Sequence, residues 1–380
     1  MSFKTRFLSK LETRLDEAFR DALAARVFSG AALLVSVGEG VTFAGNYGHL
    51  SWGGGPVTDA TRFDLASLTK PLATVPLVMA CVSRGTLALD DTLERFYPEV
   101  PEDKRKITIR QLLAHCSGLA PYRQYFFELV KIEPEKRKAA LASMIMSEPL
   151  DFAPGSAAAY SDLGYMLLGF ILEKILGSNL DELAREMVFS PLGIGELHFC
   201  PLDTGGGPEI PPARDPRFEA LEYAAAELCP WRKRVLSGEV SDENAWSLGG
   251  VAGHAGLFGT VRSVFAVVDH LRSIYQGRAE EPLMPRDVVR FFWTRGETPA
   301  DSTWALGFDT PRLAESSSGR YFSRRSVGHL GFTGTSFWLD LERDVAVVVL
   351  TNRVHPSREN ETHRAFRPRV HDIVMEALIQ

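Results

Sequence analysis

Ser67 and Lys70 lie three residues apart in Phe63-Asp64-Leu65-Ala66-Ser67-Leu68-Thr69-Lys70-Pro71-Leu72. If Ser67 opens a helix, that spacing puts the hydroxyl and the amine on one face. An amine held against a serine hydroxyl can take its proton, which turns a weak nucleophile into a strong one. The N–H groups of a helix N-terminus would favour the negative charge that develops during attack. These four residues alone also describe an N-cap serine with a surface lysine, and on their own they read that way first.

Two later segments change that reading. One is Pro154-Gly155-Ser156-Ala157-Ala158-Ala159-Tyr160-Ser161-Asp162. The other is Gly328-His329-Leu330-Gly331-Phe332-Thr333-Gly334-Thr335. Together they give the order Ser-x-x-Lys, Tyr-x-Asp, His-x-Gly. That order resembles the serine β-lactamase and penicillin-binding-protein superfamily, and most of all its class C β-lactamase-like branch, which includes esterases and D-amino-acid peptidases. The stretches 109–119 (IRQLLAHCSGL), 248–258 (LGGVAGHAGLF) and 348–353 (VVLTNR) look like that branch too. The resemblance runs from about Ala31 to about Arg353.

Acyl transfer through a serine needs a nucleophile, a proton shuttle and an oxyanion site. Ser67 is the expected nucleophile, and Lys70 and Tyr160 are the expected shuttle. Which of the two is the base stays open at this stage, because facing groups titrate as a pair. Asp162 stands where the family pattern has asparagine. It accepts hydrogen bonds but donates none, and it favours the charged form of Lys70. That points towards Tyr160 as the group taking the serine's proton and away from efficient β-lactam hydrolysis. The family pattern has Lys-Thr-Gly or His-x-Gly here, and His329 departs from the lysine of the first form. Mostly neutral at pH 7, it implies a less anionic substrate. The resemblance puts His329-Leu330-Gly331 on a sheet-edge strand, with the backbone N–H groups of Ser67 and Phe332 as the oxyanion hole; a shifted register using Thr333-Gly334-Thr335 is the weaker option. Asp162, His329, Gly331 and Phe332 are the expected substrate-binding positions.

The function expected is that of a serine hydrolase acting on a small ester or amide, esterase-like or D-amino-acid peptidase-like. A β-lactamase is the alternative within that class. A non-catalytic, penicillin-binding-like assembly module is the alternative outside it, and it would be natural if Ser67, Lys70 or Tyr160 were replaced. The nine histidines show no metal-ligand spacing, so no metal and no organic cofactor is expected. The glycine-rich run 249–259 lacks the pattern of a phosphate cradle and reads as a cleft-lining loop.

The chain has 380 residues, 45% hydrophobic and 24% charged, with a formal net charge of -6. That suits one large or two intimate domains with a sizeable core. Basic residues are dispersed, which argues against nucleic acid. Residues 4–23 mix both charge signs with apolar residues at helical spacing, so they read as an amphipathic helix rather than a signal peptide. No apolar run is read as long enough to span a bilayer, so no membrane partner is expected. Cys81, Cys116, Cys200 and Cys229 form no Cys-x-x-Cys pair and read as reduced, buried thiols of a cytoplasmic protein. Cys116 beside His115 is a weak nucleophile–base candidate, because sequence neighbours seldom face each other.

Strand signals cluster at both ends of the chain, at 31–37, 41–45, 335–340 and 345–351. Helical signals fill 71–84, 107–114, 163–176 and 180–188, with Thr260 capping 261–275 and a closing helix at 364–378. The expected fold is α/β (α+β), with an antiparallel sheet built from both termini, flanked by helices and interrupted by a mostly helical region. The expected division is 1–70 with 255–380 against 71–254, with the site in the cleft between them. Tyr122, Tyr125, Phe126 and Phe127 read as core or as walls of an acyl pocket.

Overall fold

An almost unbroken apolar segment forms strand β1 (Gly30–Val37), buried along nearly its whole length. Such a strand needs cover on both faces. The computed structural model describes residues 3–296 and 298–379, and there β1 lies inside a five-stranded antiparallel sheet. Its neighbours are β2 (Val41–Gly48) on one side and β5 (Val345–Thr351) on the other. Beyond β5 come β4 (Ser336–Asp340) and then β3 (Ser326–Leu330) at the edge. Ala31 faces Thr351 and Val37 faces Val345, so the beginning and end of the chain share one sheet.

Helices cover both faces. On one, α1 (Phe3–Ala24) and α5 (His363–Ile379) bury Leu15, Phe19, Phe366 and Val370 against the odd-numbered residues of β1. On the other, α4 (Val261–Gln276) sets Val264, Val268 and Leu271 against Ala32 and Leu34. Thr260 caps α4, accepting from the Ser263 N–H at 3.1 Å, and Gly277 ends it with a left-handed φ of 79°. The intervening chain is mostly helical. It includes α2 (Val75–Ser83) and α3 (Asp162–Leu176).

The expected elements recur with shifted ends. Instead of one helix over 71–84, a 3₁₀ turn (Ala66–Leu68) and a wide turn (Lys70–Thr74) precede α2. Run 249–259, expected as loop, contributes the strand Leu257–Gly259, which pairs with Phe63–Asp64 and His198–Phe199. Three residues carry too little alternation to announce a strand, and both partners are distant in sequence. The stretch Ala66–Ser83 also departs from the reading above. By length and composition it is apolar enough to cross a membrane, but 83% of it is buried inside the protein, where it is core.

One close approach fixes the site's rear wall. A Cβ on Gly253 would lie 2.2 Å from the Tyr165 carbonyl oxygen on α3. Thr74 donates to the Gly253 carbonyl at 2.6 Å. Gly253→Ala is therefore expected to cost about 1–3 kcal/mol through overpacking. Gly195 is exposed, and a Cβ there meets nothing within 4 Å. Gly195→Ala is expected to stay within about 0.5 kcal/mol of wild type. Denaturant unfolding of both variants checks this, and equal stability of the two would remove the steric argument.

Candidate active site

Lys70 is fully buried, and its Nζ has four oxygen neighbours. These are Ser67 Oγ at 3.1 Å, Tyr160 OH at 2.6 Å, Asp162 Oδ1 at 2.7 Å and the His254 carbonyl at 3.1 Å. The carbonyl and the carboxylate can only accept. A neutral amine directs its two protons at them and keeps its lone pair for the Ser67 or Tyr160 hydroxyl. A charged one has a third proton for those oxygens. The site therefore holds the lysine in either state without rearranging.

Ser67 is presented by a strained turn. Ala66 has a φ of 47°, unusual for a residue with a Cβ, and its N–H donates to Asp64 Oδ1 at 2.8 Å. The other Asp64 oxygen accepts from the Ser241 N–H at 2.6 Å. The chain after β3 is clamped to this turn. Thr333 Oγ1 donates to the Asp64 carbonyl at 2.6 Å, and Thr335 Oγ1 to the Leu65 carbonyl at 3.1 Å. A Cβ on Gly331 would fall 2.0 Å from Thr335 Oγ1 and 2.6 Å from the Leu65 oxygen, so only glycine allows this approach. Phe332 follows directly, with its carbonyl held by Arg353 Nε at 2.8 Å.

Tyr160 precedes α3, whose cap Ser161 donates its hydroxyl to the Ala120 carbonyl and its N–H to His115 Nδ1 at 3.0 Å. His115, Tyr160, Trp304 and His329 form a ring cluster, with centroids 4.5–6.1 Å apart. Because Nδ1 accepts from Ser161, His115 is not a base for the neighbouring Cys116, whose thiol burial pushes up. His329 Nδ1 lies 2.9 Å from the Leu330 carbonyl. That oxygen can only accept, so Nδ1 carries the proton and Nε2, buried without a protein partner, is an acceptor. His329 therefore has no proton on Nε2 to offer Tyr160.

Burial dominates the electrostatics. It lowers Lys70 from its ordinary value, while the Asp162 carboxylate opposes it. It raises Tyr160 well above the ordinary phenol value, and Asp162 adds to that rise. Both directions favour a neutral phenol beside an amine that loses its proton readily. This runs against the expectation that Asp162 makes Tyr160 the base, because burial outweighs the carboxylate at Lys70 and Asp162 itself disfavours tyrosinate.

The cleft over Ser67 has a volume of about 360 Å³ and is lined by Tyr160, His329, Gly331 and Phe332. The sequence reading missed Trp304, Arg312, Arg353, Arg364 and Arg367, which line it as well. Only the pair 364 and 367, three apart on α5, left a signal in the sequence. Phe126 and Tyr125 are buried and Phe127 packs near Trp231, so these aromatics are not the cleft's aromatic wall. Trp304 is.

The beta-lactamase family profile matches residues 15–370, and the chain belongs to that family. A protein of Salmonella agona (strain SL483), carried under the provisional name D-alanyl-D-alanine carboxypeptidase, is 33% identical over 316 residues, covering 78% of this chain and 71% of its own. A protein of Escherichia coli (strain K12) with the same name is 32% identical over 309 residues, covering 78% and 70%. Among solved structures, EstCE1, a hydrolase with promiscuous acyltransferase activity, superposes with a TM-score of 0.71 at 21% identity, covering 97% of this chain and 99% of its own. SurE superposes with a TM-score of 0.69 at 24% identity, covering 99% and 77%. These two show the fold. The chain is thus a serine hydrolase of the β-lactamase-related family.

Burial, with the nearby Lys70 adding, holds His329 neutral by pushing it down to about 3. Between that value and about 6.5, the unfolded chain binds the extra proton. The contribution to stability is complete above about pH 6.5 and is lost as pH falls towards 3. His329→Gln is expected to lose less stability than wild type between pH 7 and pH 4.5 in urea unfolding. Equal losses would exclude His329 as a source of acid sensitivity.

Proposed function

We propose that this enzyme hydrolyses small, carboxylate-bearing amides or esters, D-amino-acid peptides foremost, through an acyl-enzyme on Ser67. One observation carries the choice of substrate. Four arginines, Arg312, Arg353, Arg364 and Arg367, line the cleft over Ser67. The neutral His329 removes one cation from the family pattern, which by itself suggested a neutral substrate, but the arginines more than replace it. Guanidinium groups suit a peptide's terminal carboxylate. The name borne by the Salmonella and Escherichia relatives supports the same reading.

In this mechanism the Lys70 amine takes the Ser67 proton as Oγ attacks the substrate carbonyl. The N–H groups of Ser67 and Phe332 receive the oxyanion. Tyr160, 2.6 Å from Lys70, passes its proton to the departing amine or alcohol and regains one from the lysine. Water then attacks the ester on Ser67, its proton moving to Lys70, and the serine leaves reprotonated. Asp162 fixes the lysine, and it cannot donate to a β-lactam side-chain carbonyl as an amide would. We propose the cytoplasm as the compartment, supported by four buried cysteine thiols.

Three measurements test this. A fluorophosphonate probe is expected to add once by intact mass, and Ser67→Ala to abolish the adduct. Lys70→Ala and Tyr160→Phe are each expected to lower kcat by about a hundredfold or more, with the double variant little worse than the poorer single. A peptide ending in D-Ala-D-Ala is expected to exceed its C-terminal amide in kcat/KM by at least about tenfold, the scale of one charge-assisted contact. Equal rates for acid and amide would remove the carboxylate from the proposal. The base is tested separately. The activity's alkaline-rising limb should move to lower pH in Asp162→Asn, because removing the carboxylate destabilises the ammonium. A shift to higher pH would assign that limb to another group.

A further inference from the structure

The Ser67 cleft does not end at its arginines. Arg312, Leu330, Arg364 and Arg367 also line a second and larger cavity of about 1100 Å³, between the 311–324 segment and α5. Its walls bring Arg295, Arg320 and Arg324 onto the same surface. Six arginines thus face one groove, against Glu315 and Asp372, in a chain whose net charge is -6.

An arginine-rich surface is most simply a solvated one, but the ion pairing here says otherwise. Arg320 is paired with Asp372 and Glu376, and Arg364 with Glu361. Among the described residues, Arg324 and Arg367 pair with no carboxylate; Arg295 bonds to Thr310 Oγ1 and to the Ser302 and Pro311 carbonyls, and Arg295 and Arg312 have only the through-space field of the buried Asp309 on the cleft wall. Arg367 is the decisive one. It is only 9% exposed, its Nε is buried without a partner, and its one acceptor is the Thr335 carbonyl at 3.5 Å. Burial pushes its pKa down to about 10, with Arg353 adding to the effect. The neighbouring His363 and His371 are buried and held neutral, so neither supplies a counter-charge. A buried cation without an anion is costly, and such a group is normally paired or neutralised by what binds to it.

We infer that this groove is a second anion subsite of the same active site, taking a carboxylate or phosphate that the substrate carries at a distance from the bond broken at Ser67. The inference rests on the serine-hydrolase reading and sharpens its substrate class. The substrate is at least dianionic, with one charge near the scissile bond and one in the groove. Arg367, lining both cavities, stands between the two charges. Multiple guanidinium groups with unfilled donors can bind either oxyanion by paired N–H···O bonds.

The test reads binding and turnover separately. Pyrophosphate and glutarate are titrated calorimetrically into the full chain at low salt, with wild type and Arg320→Gln/Arg324→Gln compared. Both substituted arginines are on the groove and away from the Ser67 cleft. Wild type is expected to bind at least one of the two at one site, and the variant about tenfold more weakly. Preference for pyrophosphate assigns a phosphate-bearing substrate, and preference for glutarate a dicarboxylic one. In parallel, the kcat/KM ratio of a glutaryl over a valeryl p-nitrophenyl ester is expected to fall about tenfold in the variant. Absence of binding to wild type, or binding and ester ratio both unchanged in the variant, overturns the inference. Binding that weakens while the ester ratio holds also overturns it, because the groove then serves no substrate. Failure of the hydrolase reading looks different: the neutral fluorophosphonate then leaves Ser67 unmodified, whatever pyrophosphate does.

Discussion

The structure is organised around one buried amine. Lys70 has no exposed surface, and a cation there is tolerable only because four oxygens from three separated segments surround it. Each oxygen imposes a condition on the fold. The Ser67 hydroxyl requires the strained Ala66 turn, held by Asp64. The Tyr160 and Asp162 oxygens require the start of α3, capped by Ser161 and braced by His115. The His254 carbonyl requires the backbone at Gly253 to lie directly on α3, where Gly253 and Gly169 face each other. The His254 ring is itself tied to Asp242 at 2.9 Å, so the carbonyl's orientation is fixed from behind.

The cleft is electrostatically two-sided. Asp162 and Asp242 lie on the helical side, within reach of Lys70's field. The sheet side and α5 contribute arginines. The acids keep the lysine available as a proton carrier without making the whole cleft cationic at the nucleophile. The arginines lie on the other wall of the cleft. Replacing the family's lysine with His329 fits this division, since a neutral ring beside Tyr160 avoids a second cation in the ring cluster. On the proposed function, substrate charge would be read by residues on the helix and loops, which can vary without disturbing the Ser67–Lys70–Tyr160 cluster.

The secondary elements were legible wherever the period of apolar residues was long. β1 and β5 emerge from the runs 31–37 and 345–351, and α4 and α5 from their apolar spacing and, for α4, its cap. The strand Leu257–Gly259 was not legible, because it pairs with two-residue partners supplied from elsewhere in the chain. The 3₁₀ and wide turns around Ser67 were not legible either, since Pro71 and Pro76 inside an apolar run do not say which turn type replaces the helix.

Sequence by itself determined the chemistry's identity: a serine, a lysine, a tyrosine and an aspartate in a recognisable order, together with the antiparallel sheet joining the two ends of the chain. Residue type and order survive without coordinates because each motif is local. Tertiary structure decided what those groups do. The direction of the Lys70 and Tyr160 shifts follows from burial, which no local pattern reports. The His329 tautomer follows from a carbonyl 2.9 Å away. The cationic wall comes from arginines at 312, 353, 364 and 367, separated in the chain and made one surface only when α5 and the 311–324 segment close over the end of β3. Electrostatic character adds up through space, so a chain of dispersed arginines and net negative charge gave no sign of it.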